Sequence, residues 1–161
     1  MLTVMWVLFL IILMFFFNGF LKKQYNPNQV TNVYTDSDNF KEVRLQRNRD
    51  GHYLSSGTIN NTTVIFLLDT GATNVVIPFH IAKKIGLKTG QRTHSVTANG
   101  TVYTYATRLD RISIGTIEIH DVGASINPNT YEDVILLGMT FLKHLEFTQR
   151  GNTLTLKQYV E

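Results

Sequence analysis

An all-β domain of many short strands, carried behind a single membrane-spanning helix, is the architecture this sequence predicts. Three observations carry that expectation. No side chain from Met1 to Leu21 is charged. Beyond Tyr53 the chain breaks into short apolar runs rich in Val, Ile and Thr. Turn residues punctuate those runs at frequent intervals, as in Asn60-Asn61, Asn99-Gly100 and Gly115, the pattern of a barrel or sandwich-like domain.

The opening segment, residues 1–21, reads MLTVMWVLFLIILMFFFNGFL. About 20 apolar residues in a helix cross a hydrocarbon core of roughly 30 Å. A cleaved signal peptide would show a basic start, a shorter apolar stretch and a small-x-small cleavage site. The segment instead starts uncharged and ends in Asn18-Gly19-Phe20-Leu21-Lys22-Lys23, so an uncleaved anchor is expected. Lys22-Lys23 favours a cytosolic domain by the positive-inside rule. Large domains translocate regardless of two lysines, and the side stays open.

Residues 22–45 are expected to be a polar linker, because Gln24 to about Phe40 is rich in Asn, Gln, Asp, Ser and Thr without periodicity. As a flexible chain it would reach on the order of 25–30 Å. The folded domain is then residues 46–161, with expected strands at Tyr53–Ile59 and Thr63–Leu68 joined at Asn60-Asn61. Asn74–Ile77 is a short β-branched run. A short helix is expected over Pro78–Ile85, with Pro in its first turn and Gly86 as its C-terminal cap. Ser95–Ala98 and Thr101–Ala106 flank Asn99-Gly100, a strong hairpin signal. Further strands are expected at Arg108–Ile114, Thr116–His120, Val122–Ile126, Val134–Leu137 and Thr153–Gln158, with a helical turn or two in Gly138–Leu145.

Composition narrows the chemistry. With no cysteine, disulfides, zinc–thiolate sites and cysteine nucleophiles are excluded. The five histidines are dispersed and lack ligand spacing such as H-E-x-x-H, so no metal or other cofactor is expected. Net charge of +3, without a long basic tract, gives no argument for nucleic acid.

One spot stands out. In Phe66-Leu67-Leu68-Asp69-Thr70-Gly71-Ala72-Thr73 an apolar strand runs into a carboxylate, a hydroxyl and a glycine. An ionised Asp there is costly unless something compensates it. The bland alternative is an ordinary solvated turn. Downstream, Ile135-Leu136-Leu137-Gly138 ends an apolar strand, and the glycine-containing hairpin Ser95–Tyr105 lies between the two.

These three elements in this order resemble the retropepsin-like aspartic peptidases, and in particular the small bacterial membrane-anchored members. Gly51-His52-Tyr53, Ala82-Lys83-Lys84-Ile85-Gly86-Leu87 and Leu137-Gly138-Met139-Thr140-Phe141-Leu142 carry the likeness to the bacterial branch. It covers roughly Arg49 to Gln158. The insert Pro78–Leu87 and a longer spacing to Gly138 depart from viral members.

The resemblance implies a closed, barrel-like acid-protease domain with one or two short helices. It also implies a single-pass protein of the bacterial inner membrane. Its activity would be peptide hydrolysis by two carboxylates that share one proton and hold one water, since like charges about 3 Å apart cannot both ionise. Only one Asp-Thr-Gly is present, so the second carboxylate would come from the Asp69 of another copy in a C2 homodimer. Asp69 would be the acid/base, Thr70 would brace the two loops across the dimer, and Gly71 would permit close backbone approach. Ala72 would line the cleft floor, and the flap tip Ala98, Asn99, Gly100 and Thr101 would close over an extended protein or peptide substrate. Leu137 and Gly138 belong to the same expected substrate-binding set, Gly138 by packing against the loop rather than by chemistry. Tyr103 and Tyr105 are expected to be packing residues. A catalytically silent dimerisation or peptide-binding module on the same fold is the rival reading.

Overall fold

The computed structural model describes residues 2–30, 32–34, 39–97 and 100–159. Helix α1 (Leu2–Tyr25) comes first, followed by strands β1 (Asn32–Tyr34), β2 (Phe40–Gln46), β3 (Leu54–Ile59), β4 (Thr62–Leu68) and β5 (Val75–Pro78). Then come α2 (Phe79–Ile85), β6 (Arg92–Thr97), β7 (Gly100–Ile114), β8 (Ile117–Asn127), β9 (Val134–Leu137), α3 (Met139–Leu142), β10 (Glu146–Arg150) and β11 (Thr153–Tyr159).

Six of these strands close into a barrel in the order β3-β4-β9-β5-β8-β7. Thr58↔Ser113 and Ile59↔Ile112 join β7 back to β3, and β6 extends from β7. Closure leaves the barrel strands without free edges. The seam depends on a glycine: a Cβ on Gly57 would sit 2.2 Å from the Ser113 carbonyl oxygen and 2.7 Å from the Phe66 ring. Inside, Ile59, Phe66, Ile77, Ile112, Ile126, Ile135 and Phe141 are fully buried, each contributing about 1.5–3 kcal/mol.

The turn chemistry acts as read. Asn60 and Asn61 take φ of 46° and 70° between Ile59 and Thr62. The Asn60 carboxamide oxygen also accepts the Arg111 N–H at 3.1 Å, tying the turn to β7. Helix α2 begins after Pro78 and ends on Gly86 at φ 79°, whose N–H reaches the Ala82 and Lys83 carbonyls. The Arg108–Ile114 and Thr116–His120 runs form the β7–β8 hairpin, and Val122–Ile126 continues β8.

A second sheet has the order β1-β2-β11-β10. Here the linker expectation needs correction. Within residues 22–45, α1 continues to Tyr25, and β2 pairs with β11 over seven residues from Phe40↔Tyr159 to Gln46↔Thr153. The physical reason is period-two alternation: Val43 and Leu45 are fully buried while Arg44 and Gln46 face outward. Asn26 and Asn28 are also buried, at 3% and 4% exposure.

Candidate active site

Asp69 stands one residue beyond the end of β4, where the strand leaves the sheet. β4 runs parallel to β9, with Leu68 beside Leu137, and the Asp69 N–H donates to the Leu137 carbonyl at 3.2 Å. The side chain is half-buried. Its Oδ1 accepts the Gly71 N–H at 2.9 Å, and its backbone carbonyl accepts the Ala72 N–H at 3.2 Å. A short turn thus holds the Asp69 carboxylate through Oδ1.

The loop rests on the segment after β9. Met139 N–H donates to the Ala72 carbonyl at 2.8 Å and Thr140 N–H to the Thr73 carbonyl at 3.0 Å, while Thr140 Oγ1 accepts the Val75 N–H at 3.0 Å. This approach requires Gly138. A Cβ there would lie 2.3 Å from the Asn74 carbonyl oxygen and 2.5 Å from that of Ala72. The two separated motifs therefore meet as one unit, with the Asp-Thr-Gly loop lying on the Leu-Gly-Met-Thr turn.

A cleft of about 360 Å³ opens beside Asp69 and Thr70, walled by Tyr53, Leu68, Leu142 and, from the second sheet, Phe147 and Gln149. No second Asp or Glu lines it among the described residues. Asp121 pairs with Arg108, whose hydrogen bond holds the Asp121 carboxyl below its usual range. Asp133 faces His80 at 2.8 Å. Thr70 and Gly71 are exposed, and the Thr70 hydroxyl has no hydrogen-bond partner among the described residues. Those residues also hold no group of three or more His, Asp or Glu arranged for a metal.

The β6–β7 hairpin pairs in register from Arg92↔Tyr105 to Thr97↔Gly100. Gly100 has φ 110° and Thr101 is exposed. Ala98 and Asn99, the other two expected flap residues, lie outside the described residues. Tyr105 packs against the core. Tyr103 does not: it is 45% exposed and carries Arg92 over its ring at 3.7 Å, a cation–π contact on the hairpin surface.

Between the hairpin base and the barrel lies an apolar slot of about 160 Å³, lined by Val76, Val102, Thr104, Val134 and Leu136, with Glu132 at its rim. This corrects one expected site residue. Leu137 points into the core and is fully buried, so the alternation of β9 puts Leu136 at the slot instead. Gly138 is likewise buried beneath the loop. Val76, from the β-branched run Asn74–Ile77, and Val102 line the same slot; neither was among the expected site residues.

Fold and site together define an aspartic-peptidase-like barrel of the retropepsin kind. A family profile described as gag-polyprotein putative aspartyl protease matches residues 55–144, a span holding both Asp69 and Gly138. The chain belongs to that family.

An uncharacterized protein from the cobV 5′ region of a Sinorhizobium species is 36% identical over 126 residues, covering 76% of this chain and 54% of that protein. The uncharacterized protein RP867 of Rickettsia prowazekii is 26% identical over 129 residues, covering 78% and 55%. The chain thus spans about half the length of the curated relatives it matches. The crystal structure of a retropepsin-like aspartic protease from Rickettsia conorii superposes with a TM-score of 0.65 at 24% identity, over 80% of this chain and 99% of that one. That likeness speaks to the fold.

Proposed function

We propose that the protein is a membrane-anchored aspartic endopeptidase, active as a homodimer in which two copies of Asp69 share one proton and activate one water. The observation that carries this reading is an incomplete site. Among the described residues, one oriented carboxylate faces a cleft without a second, and beside it Thr70 and Gly71 are exposed with the Thr70 hydroxyl unpartnered. A two-fold axis beside Asp69 would supply the missing acid and give each Thr70 a partner.

Chemistry follows from the pair. The ionised carboxylate takes a proton from the water as its oxygen bonds to the scissile carbonyl carbon. The protonated carboxyl hydrogen-bonds the carbonyl oxygen as charge develops there. Collapse of the tetrahedral centre breaks the C–N bond, and the leaving nitrogen takes up the proton that the first carboxylate drew from the water, so the dyad again holds one proton. The Gly71 N–H holds the Asp69 rotamer through this sequence. Val76, Val102 and Leu136 would receive an apolar side chain of an extended peptide, and the β6–β7 hairpin would close over it.

Anchoring draws support from α1. Among the described residues, one helix, Thr3–Tyr25, is long and apolar enough to cross a membrane. Many of its large side chains are exposed, such as Phe15 at 70% and Phe16 at 74%. A signal sequence would share that composition. Its continuation into the buried Asn26 and Asn28 favours retention, because cleavage at the helix end would disrupt a packed joint.

The test incubates the detergent-solubilised chain and its Asp69→Asn variant with a peptide library from about pH 3 to 7, reading cleavage by mass spectrometry. Cleavage by the parent alone, rising with the dimer fraction, is expected. A folded, dimeric parent that cuts nothing would point to a silent binding module instead.

A further inference from the structure

Polar residues that directly follow an apolar span ordinarily form a solvated tether. Here they form a joint. The Lys22 carbonyl accepts the Asn26 N–H and the Gln29 Nε2, both at 3.0 Å, and the Tyr25 carbonyl accepts Asn48 Nδ2 at 3.1 Å. Asn26 Nδ2 donates to Ser56 Oγ at 3.2 Å, and its Oδ1 accepts the Asn28 N–H at 3.0 Å.

Asn28 replaces a stretch of strand with one side chain. Its Oδ1 accepts the Gln46 N–H at 2.7 Å, and its Nδ2 donates to the carbonyls of Gln46 at 2.9 Å and Leu54 at 2.6 Å. Its own carbonyl accepts the Ser56 N–H at 3.2 Å. Only a carboxamide both donates and accepts in this way, and Pro27 between the two asparagines removes backbone freedom. The end of α1 is thereby tied to β2, to β3 and to the turn at Asn48.

The joint also lies close to Asp69. Leu54, bonded by Asn28, pairs with Leu67 across β3–β4, and Asp69 follows two residues later. One strand spacing and two residues of rise put Asp69 roughly 8–11 Å from Leu54, the strand residue that Asn28 holds.

We infer that the cleft is mounted rigidly, at a fixed height above the membrane, and that its substrates are membrane-tethered chains cut in the segment next to the bilayer. This inference rests on the peptidase and anchor readings above. A rigid mount gains nothing for a freely diffusing substrate. It presents the cleft at one height to chains emerging from the same membrane, so that a spacer matching the span delivers its scissile segment to the cleft and a shorter one cannot reach.

The test co-reconstitutes the full chain in vesicles with reporters. Each reporter carries a single-span helix, a Gly/Ser spacer of about 5, 15 or 40 residues, and the peptide cut best in solution. One spacer is expected to be cut about tenfold faster than the other two. Inserting a ten-residue Gly/Ser segment between Tyr25 and Asn26, with a reach of about 17 Å, should level the three rates to within about twofold. Cleavage of the free peptide should be the same in both proteins. Equal rates at all three spacers in the parent would overturn the inference, as would free-chain hydrogen exchange at the Asn28 and Ser56 amides. If neither protein cuts the free peptide, the peptidase reading falls and takes the substrate class with it, and the exchange data alone decide whether the mount is rigid.

Discussion

Replacing Gly138 by alanine puts a Cβ 2.3 Å from the Asn74 carbonyl oxygen, 2.5 Å from the Ala72 oxygen and 2.8 Å from the Asn74 carbonyl carbon. All three neighbours are backbone, so no side chain can swing aside. The loop and the turn beneath it must separate by roughly 1 Å, an overpacking that costs about 1–3 kcal/mol. Separation also stretches the Met139–Ala72 and Thr140–Thr73 hydrogen bonds, worth about 1 kcal/mol each. Alanine returns about 0.4–1 kcal/mol by restricting the unfolded chain, leaving a net loss of about 3 kcal/mol. With a urea slope near 1.5 kcal/mol/M, the unfolding midpoint should fall by about 2 M. The one tryptophan, Trp6, lies in α1, so near-ultraviolet dichroism of the seven tyrosines is the appropriate readout. Gly123→Ala is the control, because a Cβ there meets nothing within 4 Å, and its midpoint should move by less than about 0.3 M. Equal midpoints for the two variants would refute the close-approach argument for Gly138.

Phe66→Ala should cost about 3–5 kcal/mol in the same unfolding assay, because the ring is fully buried where the barrel closes; a loss below about 1 kcal/mol would contradict its core position. Thr70→Val should leave unfolding of the single chain unchanged while raising the dimer dissociation constant about tenfold in sedimentation. An unchanged dissociation constant would remove Thr70 from the interface. Leu136→Ala should enlarge the apolar slot and shift library cleavage toward bulkier side chains by about tenfold, whereas an unchanged preference would mean that the slot receives no substrate side chain.

What was legible in the sequence was local. Asn60-Asn61, Gly86 and Gly115 announce their turns because a positive φ admits few residue types, and they alone place several strand ends. Asp69 and Gly138 could be matched because each motif is short and contiguous. What was missed depends on partners distant in sequence. Strand β10, Glu-Phe-Thr-Gln-Arg, is exposed at every position, so it has no buried face to alternate with. Val-Ile-Leu-Leu in β9 is apolar throughout, and period two cannot tell which of Leu136 and Leu137 faces the core. Asn26 and Asn28 read as solvated linker because a buried carboxamide differs from an exposed one only in its hydrogen-bond partners, here residues 18 to 30 positions away.

Subunit mixing tests the shared-carboxylate claim most directly. Parent and Asp69→Asn chains would be mixed in equal amounts, allowed to exchange subunits, and assayed at constant total concentration. If both copies of Asp69 are needed in one site, only the parent–parent dimers cut, and activity falls to about one quarter of the all-parent value. Activity at about one half would mean that each chain works alone with its own Asp69, contradicting the dimeric site.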